Sequence, residues 1–310
     1  MIVKSSSGGV SCLYEWIGKL TRQTKRFRQL ANLLHLLPDW LLYAIFYALG
    51  NLIYLISGTE LRNRIRINMD DLLVRLTRRQ IRRLLRAYYR NLAVTLFEVI
   101  FGFWRLPRGQ AGKLHTAGEH FLQEALSQGK GAIIYAPHVG NFFYYYWYLS
   151  NHYNCLTVGT SGSPELKPIY SQYEQMGCLG LDYDETSPLQ MIRTLRNHLE
   201  QNGVIFILGD FWRRQFPLTE LFGKRTRGPQ GAAALALDQM TPVIPFSGFR
   251  TKGFSHHLVF EEPIYLHELF SRSQRSEAAL LLNHSMEQTI LSHPEQWFYW
   301  FNLHDRWEQD

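Results

Sequence analysis

The sequence contains little cysteine, and its histidines form no metal-binding pattern. Its three cysteines, Cys12, Cys155 and Cys178, are too scattered to make a Cys-x-x-Cys pair of metal ligands. An odd and sparse set of cysteines favours a reducing compartment in which each thiol is structural. His256 and His257 are adjacent in an apparent strand, where successive side chains face opposite sides, so they make a poor metal pair. The sequence therefore predicts no metal site.

Motifs of several common protein classes are also missing. Residues 159–163 (Gly-Thr-Ser-Gly-Ser) lack the nucleophile-elbow pattern, which argues against a serine hydrolase. Residues 223–225 (Gly-Lys-Arg) do not match the phosphate loop that binds nucleoside triphosphates. No nucleic-acid-binding module, internal repeat, low-complexity tract, long linker or cleavable signal is evident. The function must therefore be sought in other features.

The composition is typical of a globular chain with a basic N-terminal region. Hydrophobic residues make up 46% of the 310 residues, whereas the mean hydropathy of −0.20 excludes a polytopic membrane protein. Residues 1–110 carry 18 Lys and Arg against 6 Asp and Glu, and residues 111–310 carry 15 against 20. We therefore expect a basic, membrane-associating region at 1–66 and one main domain at 67–310.

Residues 40–56 form an uncharged apolar segment of 17 residues, which is at the lower limit for crossing a bilayer. Gly50 and Asn51 interrupt it, and its tyrosines and Trp40 suit an interfacial depth. Basic residues flank it on both sides: Lys19, Arg22, Lys25, Arg26, Arg28, Arg62, Arg64 and Arg66. Because the positive-inside rule would place both flanks on the cytoplasmic face, the pattern favours a monotopic or re-entrant anchor. A buried core helix is the alternative.

Residues 77–103 have the pattern of a basic amphipathic helix, with Thr77 as a candidate N-cap. Its polar face carries six arginines: Arg78, Arg79, Arg82, Arg83, Arg86 and Arg90. Next to a hydrophobic anchor, this face favours anionic lipid headgroups over nucleic acid as its partner. A merely solvated face is the alternative.

From Lys113 onward, strand-like and helix-like segments alternate along the chain. The expected strands lie near 131–136, 154–159, 203–209, 242–247 and 257–264. The expected helices lie near 117–128, 188–201, 229–239 and 275–292. This alternation predicts an α/β domain with a central, mostly parallel, twisted sheet flanked by helices.

Residues 136–143 (Ala-Pro-His-Val-Gly-Asn-Phe-Phe) place a histidine in a turn directly after an apolar strand. Catalytic groups collect at the carboxyl ends of strands in an open α/β sheet, so His138 is a candidate general base. Asn141 can cap the next helix, and we expect it either to shape the turn or to donate to an oxyanion. A hydrogen-bonded structural histidine is the alternative.

Two further sets of residues are candidates for substrate binding. Phe142 and Phe143 open a run of seven aromatic residues, which would line an acyl channel, stack on an acceptor less polar than a sugar, or pack in the core. Pro229 suits the first turn of a helix whose free N–H groups would form an anion site with the preceding basic loop. The candidate cations are Lys224, Arg225, Arg227 and Arg213. A structural loop with solvated charges is the alternative.

Four segments, in order, resemble the lipid A biosynthesis acyltransferases, the lauroyl and myristoyl transferases of the lysophospholipid acyltransferase superfamily. They are residues 117–141, which include the histidine turn, residues 203–210, which end in Asp210, residues 221–246 and residues 293–307. The resemblance covers roughly residues 33–307.

The resemblance implies an O-acyltransferase on the cytoplasmic face of a membrane, the inner membrane in bacteria. It would move a fatty acyl group from a thioester of acyl carrier protein or CoA to a hydroxyl of a lipid or glycolipid. Membrane lipids would be its partners, and no cofactor is implied beyond the acyl donor as co-substrate. His138 would be the base, and the basic loop would hold the acceptor's phosphate or the donor's phosphopantetheine arm.

One position departs from the family pattern. Members carry Asp or Glu five residues after the catalytic histidine, where this chain has Phe143. That acid orients the imidazole and stabilises its protonated form, which a phenyl ring cannot do. Either another carboxylate approaches His138, with Asp210 the best candidate, or the histidine acts unassisted, or the chain is an inactive lipid-binding relative. Recruitment to acylate a specialised small molecule would also account for the altered site. Acceptor, chain length and oligomeric state are not specified by the sequence.

Overall fold

The computed structural model describes residues 33–34, 36–102, 106, 113–160 and 167–308. Three helices come first: α1 (Asp39–Ile56), α2 (Thr59–Leu72) and α3 (Arg78–Phe97), the last continuing as a π-helical turn at Glu98–Gly102. Thr77 caps α3 through a capping box with Gln80, as its sequence predicts. The basic residues before position 33 that flank the apolar segment lie outside the described residues, as does Cys12.

The strands of the described residues form one large sheet and one hairpin. They are β1 (Leu114–Ala117), β2 (Ala132–Ala136), β3 (Cys155–Gly159), β4 (Leu179–Asp182), β5 (Val204–Leu208), β6 (Leu218–Leu221), β7 (Lys224–Arg227), β8 (Val243–Arg250) and β9 (His256–Phe260). The sheet order is β1-β9-β8-β2-β5-β3-β4, and β6 pairs with β7 in the antiparallel hairpin. Strands β8, β2, β5, β3 and β4 run parallel, whereas β9 is antiparallel to β8 and carries β1 parallel to itself.

Helices cover both faces of this sheet. They are α4 (Glu119–Ser127), α5 (Phe142–His152), α6 (Lys167–Glu174), α7 (Pro188–Glu200), α8 (Gly231–Gln239), α9 (Leu266–Leu269) and α10 (Arg275–Ser292). Three short 3₁₀ turns then form the C-terminal segment: Pro294–Gln296, Phe298–Phe301 and Leu303–Arg306.

Alternate residues of the central strands enter two different cores. Ile134 of β2 faces a core that includes Tyr145 of α5 and the π-helical turn. Ile133, one residue earlier, faces a second core that includes Leu195 of α7 and Ala236 of α8. Because successive strand side chains point to opposite faces, a fully apolar strand such as β2 is what a sheet buried on both sides requires.

The predicted α/β class is confirmed, with a mostly parallel central sheet and flanking helices. Each predicted strand and helix of the alternating region is present, with ends that differ by a few residues. The sequence analysis missed β1, β4, the β6–β7 hairpin, α2, α6 and α9. The missed strands are four residues long and bury at most one residue each, so they lack the apolar run by which the central strands were recognised.

Helix α1 leaves most of its apolar surface uncovered. Leu42 and Gly50 are its buried residues, whereas Trp40, Leu52 and Leu55 are exposed. By length and composition it is the one helix of the described residues that could cross a membrane. The boundary expected after residue 66 falls inside α2, and the division into two regions stays a prediction.

Helix α1 packs against α3 at a glycine. A Cβ atom at Gly50 would lie 2.6 Å from the Cα of Arg90 and 2.9 Å from the carbonyl oxygen of Tyr89. Backbone atoms cannot move aside as the end of a flexible side chain does. Gly50 therefore sets the close approach of the two helices.

We expect Gly50→Ala to lower the free energy of unfolding by about 1–3 kcal/mol. The clash with the α3 backbone outweighs the gain of roughly 1 kcal/mol that alanine brings within a helix. Thermal unfolding in detergent measures the change. Gly58→Ala is the matched control, because a Cβ atom there meets nothing within 4 Å. Equal unfolding temperatures for the two variants would contradict this account.

Candidate active site

Two neighbouring strands bring a histidine and an aspartate together. Strands β2 and β5 are parallel, with Ala136 opposite Leu208 at their carboxyl ends. His138 and Asp210 each follow these residues by two positions, so the parallel register places them side by side. This is the edge at which open α/β sheets carry their ligands and catalytic groups.

The imidazole of His138 contacts the carboxylate of Asp210 directly. Its Nδ1 lies 2.5 Å from Asp210 Oδ1, and the backbone N–H of His138 donates to both carboxylate oxygens at 3.1 and 3.0 Å. The indole N–H of Trp297 donates to Asp210 Oδ2 at 2.8 Å. Every donor is directed at a side chain that is fully buried. The carboxylate is therefore held in one orientation.

The same contacts fix the protonation state of the aspartate. Burial alone would raise the pKa of Asp210, but the charge and hydrogen bond of His138, the Trp297 indole and the Arg306 charge together lower that pKa below its ordinary value of 3.8. An ionised carboxylate only accepts hydrogen bonds, so Nδ1 of His138 must carry a proton. In the neutral imidazole the other ring nitrogen, Nε2, presents a lone pair and can act as a base.

The C-terminal segment holds the histidine turn from the other side. Phe298 donates its backbone N–H to the carbonyl of His138 at 2.9 Å, and Gly140 donates to the carbonyl of Gln296 at 3.1 Å. The Tyr299 hydroxyl lies 3.4 Å from His138 Nε2. A guanidinium N–H of Arg306 donates to the backbone carbonyl of Asp210 at 2.8 Å, and the guanidinium stacks over the Tyr299 ring. These contacts assemble the site from residues far apart in the sequence.

Asn141 caps α5 and joins a second buried carboxylate. Its side-chain oxygen accepts from the N–H of Tyr144 at 3.3 Å, and its amide N–H donates to Glu98 at 3.2 Å. Its backbone N–H donates to the Tyr145 hydroxyl at 3.0 Å. The side chain is buried and is not part of the cavity wall described below. Of the two predicted roles, the structure shows turn shaping, and donation to an oxyanion stays a prediction.

Glu98 lies in the π-helical turn at the centre of a buried ionic network. Arg250 contacts one of its carboxylate oxygens at 2.5 Å, and His256 Nε2 contacts the other at 2.8 Å. Burial alone would raise the pKa of Glu98, but the charges and hydrogen bonds of Arg250 and His256 lower it to about 2. The Tyr145 hydroxyl lies 3.1 Å from His256 Nδ1 and so links this network to Asn141. The turn that carries His138 therefore rests on a rigid polar support.

A cavity of about 400 Å³ opens onto His138. One end, which we call the aromatic end, is bounded by Leu96 of α3, Phe142 and Phe143 of α5, and Ile169 and Tyr170 of α6. These side chains lie on the face of the sheet that α5 covers. The phenyl ring of Phe142 stands edge-on to the His138 imidazole, with 4.8 Å between ring centroids.

The other end of the cavity, which we call the sheet-face end, lies on the opposite face of the sheet, under helices α7 and α8. Met191 and Leu195 of α7, Ile207 of β5 and Leu235 of α8 line it. His138 lies just beyond the carboxyl end of β2, at the edge of the sheet between its two faces. The cavity thus has apolar walls from both faces of the sheet beside the His138 turn.

The predicted cations lie elsewhere. Lys224 pairs with Asp71, Arg227 with Glu308 at 2.6 Å, and Arg213 with Asp184 at 2.8 Å. Lys224, Arg225 and Arg227 all belong to β7 of the hairpin, and none of the four cations lines the cavity. Lys224, Arg225 and Arg227 therefore lie together on one strand, outside the wall of the cavity that contains His138. Phosphate binding by these residues stays a prediction.

Several residues of this site were missed by the sequence analysis as site residues. They are Glu98, Tyr145, Arg250, His256, Trp297, Tyr299 and Arg306. Trp297 and Arg306 lie in the fourth segment that resembles the family, and this resemblance was the signal by which they could have been found. Nothing in the local pattern marks Glu98 as buried. His256 is buried and His257 exposed, as expected for a strand, and the described residues hold no cluster of metal-ligating side chains.

We expect the Glu98 network to make stability depend on pH. The folded-state pKa of about 2 lies below the ordinary 4.5, so ionised Glu98 stabilises the fold above pH 4.5, and this contribution is lost as the pH falls toward 2. It amounts to about 3 kcal/mol. Unfolding measured between pH 7 and pH 2 should show a shallower slope in Glu98→Gln than in the natural protein, and Asp210, whose pKa is also lowered, accounts for part of the slope that remains. The control is Glu60→Gln, since Glu60 is exposed. A slope as steep in Glu98→Gln as in the natural protein would refute the assignment.

Comparison with known proteins identifies the family of the chain. No curated protein matches the chain. The family described as bacterial lipid A biosynthesis acyltransferase matches residues 28–309, which include the histidine turn, the sheet and the C-terminal segment. The match covers far more than half of the 310 residues. The chain therefore belongs to the bacterial lipid A biosynthesis acyltransferase family.

Proposed function

We propose that this protein transfers a fatty acyl group from a thioester donor to a hydroxyl of a lipid acceptor, with His138 as the general base. The observation that carries the proposal is the hydrogen bond between His138 Nδ1 and the ionised, buried Asp210, which leaves Nε2 as a base at the cavity. Membership of an acyltransferase family supports the reaction class.

The proposed reaction begins with proton transfer. His138 Nε2 takes the proton of the acceptor hydroxyl as its oxygen attacks the thioester carbonyl carbon, and the carbonyl oxygen becomes an oxyanion. Collapse of this intermediate re-forms the carbonyl and breaks the carbon–sulfur bond. The thiolate leaves and takes the proton from the imidazolium. General-base catalysis of this kind contributes roughly 10²- to 10⁴-fold to the rate.

In this proposal Asp210 takes the role of the acid that other family members carry at position 143. It fixes the tautomer in which Nε2 carries no proton, and its negative charge stabilises the imidazolium that forms as the hydroxyl is deprotonated. The buried position of Asp210 strengthens that electrostatic effect, because little water screens it. The replacement of an acid by Phe143 is therefore compatible with catalysis.

The cavity suits an acyl chain. Its volume of about 400 Å³ exceeds the roughly 150 Å³ of an apolar cavity that holds benzene. An acyl group carried by CoA or by acyl carrier protein would be the co-substrate, with no further cofactor. The volume does not distinguish these two carriers, since they share the same thioester.

Helix α1 is proposed to bind a membrane on its cytoplasmic face, the inner membrane in bacteria. Its exposed apolar residues would enter the bilayer, and the exposed arginines of α3 beside it would contact anionic headgroups. Membrane lipids would thus be partners as well as acceptors. The family of this chain supports association with a membrane.

We expect His138→Ala to abolish acyl transfer, and Asp210→Asn to lower kcat by about 10²- to 10⁴-fold with little change in KM. An amide at position 210 places an N–H beside the imidazole and removes the charge that stabilises the imidazolium. Thiol release from lauroyl-CoA or lauroyl-acyl carrier protein measures the rate.

His115→Gln and Asp70→Asn are the matched controls. His115 is exposed on β1, and Asp70 pairs with Arg66 on α2; neither residue lines the cavity. Unchanged activity of a folded His138→Ala variant would remove His138 from the mechanism and favour an inactive, lipid-binding role for this site.

We expect the double variant Leu52→Glu/Leu55→Glu to lose vesicle binding. These side chains are 51% and 65% exposed, and each would forfeit about 1.5–3 kcal/mol on leaving the bilayer, so binding falls at least about tenfold. Flotation with vesicles containing anionic phospholipid measures it. Leu189→Glu/Leu269→Glu is the control, because those residues are equally exposed on α7 and α9. Equal binding of both double variants would exclude α1 as the anchor.

A further inference from the structure

The aromatic end of the cavity surrounds the position of the missing family acid. The ring of Phe143 lies 5.0 Å from Phe142, 5.5 Å from Tyr170 and 4.9 Å from Tyr173, measured between centroids. Phe143 is half-buried and lines the cavity, so it is neither a surface residue nor wholly part of the core. Its ring therefore presents an apolar face to whatever occupies this end.

No cation lines this end among the described residues. The charged residues of the cavity wall other than His138 are Arg196, Asp238 and Arg275, and they belong to α7, α8 and α10 at the sheet-face end. Behind the aromatic end, Arg250 is buried and already paired with Glu98. An anionic group placed beside Phe143 would lose its hydration without gaining a counter-charge from this wall.

The polar groups at this end are few. The Thr95 hydroxyl accepts a hydrogen bond from Arg250 at 2.8 Å, and the Tyr170 hydroxyl and the Tyr299 hydroxyl beside His138 are the others; the rest of the described wall consists of rings and aliphatic side chains. A sugar, which carries a hydroxyl on nearly every carbon, would leave donors and acceptors unsatisfied here, at about 1–3 kcal/mol each. A flat or hydrocarbon body would instead pack against the rings.

The two ends differ in a way that separates the two substrates. The sheet-face end is lined mainly by aliphatic side chains such as Met191, Leu195 and Leu235, beside the ring of Tyr135, and flexible side chains such as Met191 adapt to a flexible acyl chain. The aromatic end offers the ring faces of Phe142 and Phe143 close to His138. These rings suit the carrier of the hydroxyl, and the aliphatic side chains suit the acyl chain.

We propose that the acceptor is a phosphate-free alcohol or phenol whose hydroxyl is carried by an apolar or aromatic body, and that Phe143 determines this specificity. The proposal rests on the acyl transfer proposed above. The ester forms when the hydroxyl oxygen bonds to the acyl carbon; its proton passes to His138 Nε2 and then to the departing thiolate. In this role Phe143 contacts the acceptor and takes no part in proton transfer.

The test uses the full chain in detergent with lauroyl-CoA as donor. Three rates are compared: hydrolysis without acceptor, transfer to 4-octylphenol, and transfer to a diphosphorylated glucosamine disaccharide that carries acyl chains. Thiol release gives the rate, and mass spectrometry identifies the ester. We expect kcat/KM for the phenol to exceed that for the phosphorylated acceptor at least about tenfold, a difference of about 1.4 kcal/mol. The reverse preference would overturn the proposal.

Variants at position 143 locate the specificity. Phe143→Glu should lower the ratio of phenol transfer to hydrolysis at least about tenfold, because it buries a carboxylate against the acceptor. Phe143→Leu, which keeps an apolar side chain and preserves folding, should lower the ratio less. Tyr148→Leu, on the same helix but outside the cavity wall, should leave the ratio unchanged. A ratio that none of the variants at position 143 alters would overturn the assignment of Phe143.

Hydrolysis separates the two proposals. If His138 is required for hydrolysis but the phenol is not preferred, the acceptor class is wrong while acyl transfer by His138 stands. If hydrolysis and both transfers are absent, or are unaffected by His138→Ala, the proposed function itself fails, and this inference fails with it.

Discussion

The buried carboxylate of Asp210 accepts hydrogen bonds from segments that are far apart in the sequence. The turn after β2 provides the backbone N–H and the imidazole of His138, and the C-terminal segment provides the indole of Trp297. Hydrogen bonds to a charged group contribute about 1.5–3 kcal/mol each, whereas a buried carboxylate without partners would cost several kcal/mol. The same charge that holds these segments together therefore also selects the basic tautomer of His138.

A second carboxylate supports the other end of the same turn. The carboxylate of Glu98 is hydrogen-bonded to the side chains of Arg250, His256 and Asn141. Glu98 lies in a π-helical turn, an uncommon element that often occurs at functional sites. The residues from His138 to Asn141 are thus held between two buried acids, one at each end. The first acid contacts the imidazole of His138, and the second acid accepts a hydrogen bond from Asn141, which caps the next helix.

The fold and the central pair of site residues were accessible from the sequence, because both depend on local patterns. Uninterrupted apolar runs identify buried parallel strands, and parallel strands place His138 and Asp210 at one edge. The contacts of Trp297 and Glu98 were not accessible, since they join residues separated by 87 and 152 positions respectively. For the cations of the basic loop, the charges could be seen in the sequence but their partners could not. The ion pairs of Lys224 and Arg227 join residues that only the tertiary fold brings together.

The position of the C-terminal segment has a consequence for how the protein is made. During translation all strands of the sheet are synthesised before residues 294–306. A nascent chain can therefore form the sheet and bring His138 near Asp210 while the indole of Trp297 and the carbonyl contact from Arg306 are still absent. Until those residues arrive, the aspartate lacks part of its hydrogen-bonding shell and the turn lacks its outer wall. The contacts of Trp297 and Arg306 with Asp210 are thus added after the sheet that brings His138 and Asp210 together has been synthesised.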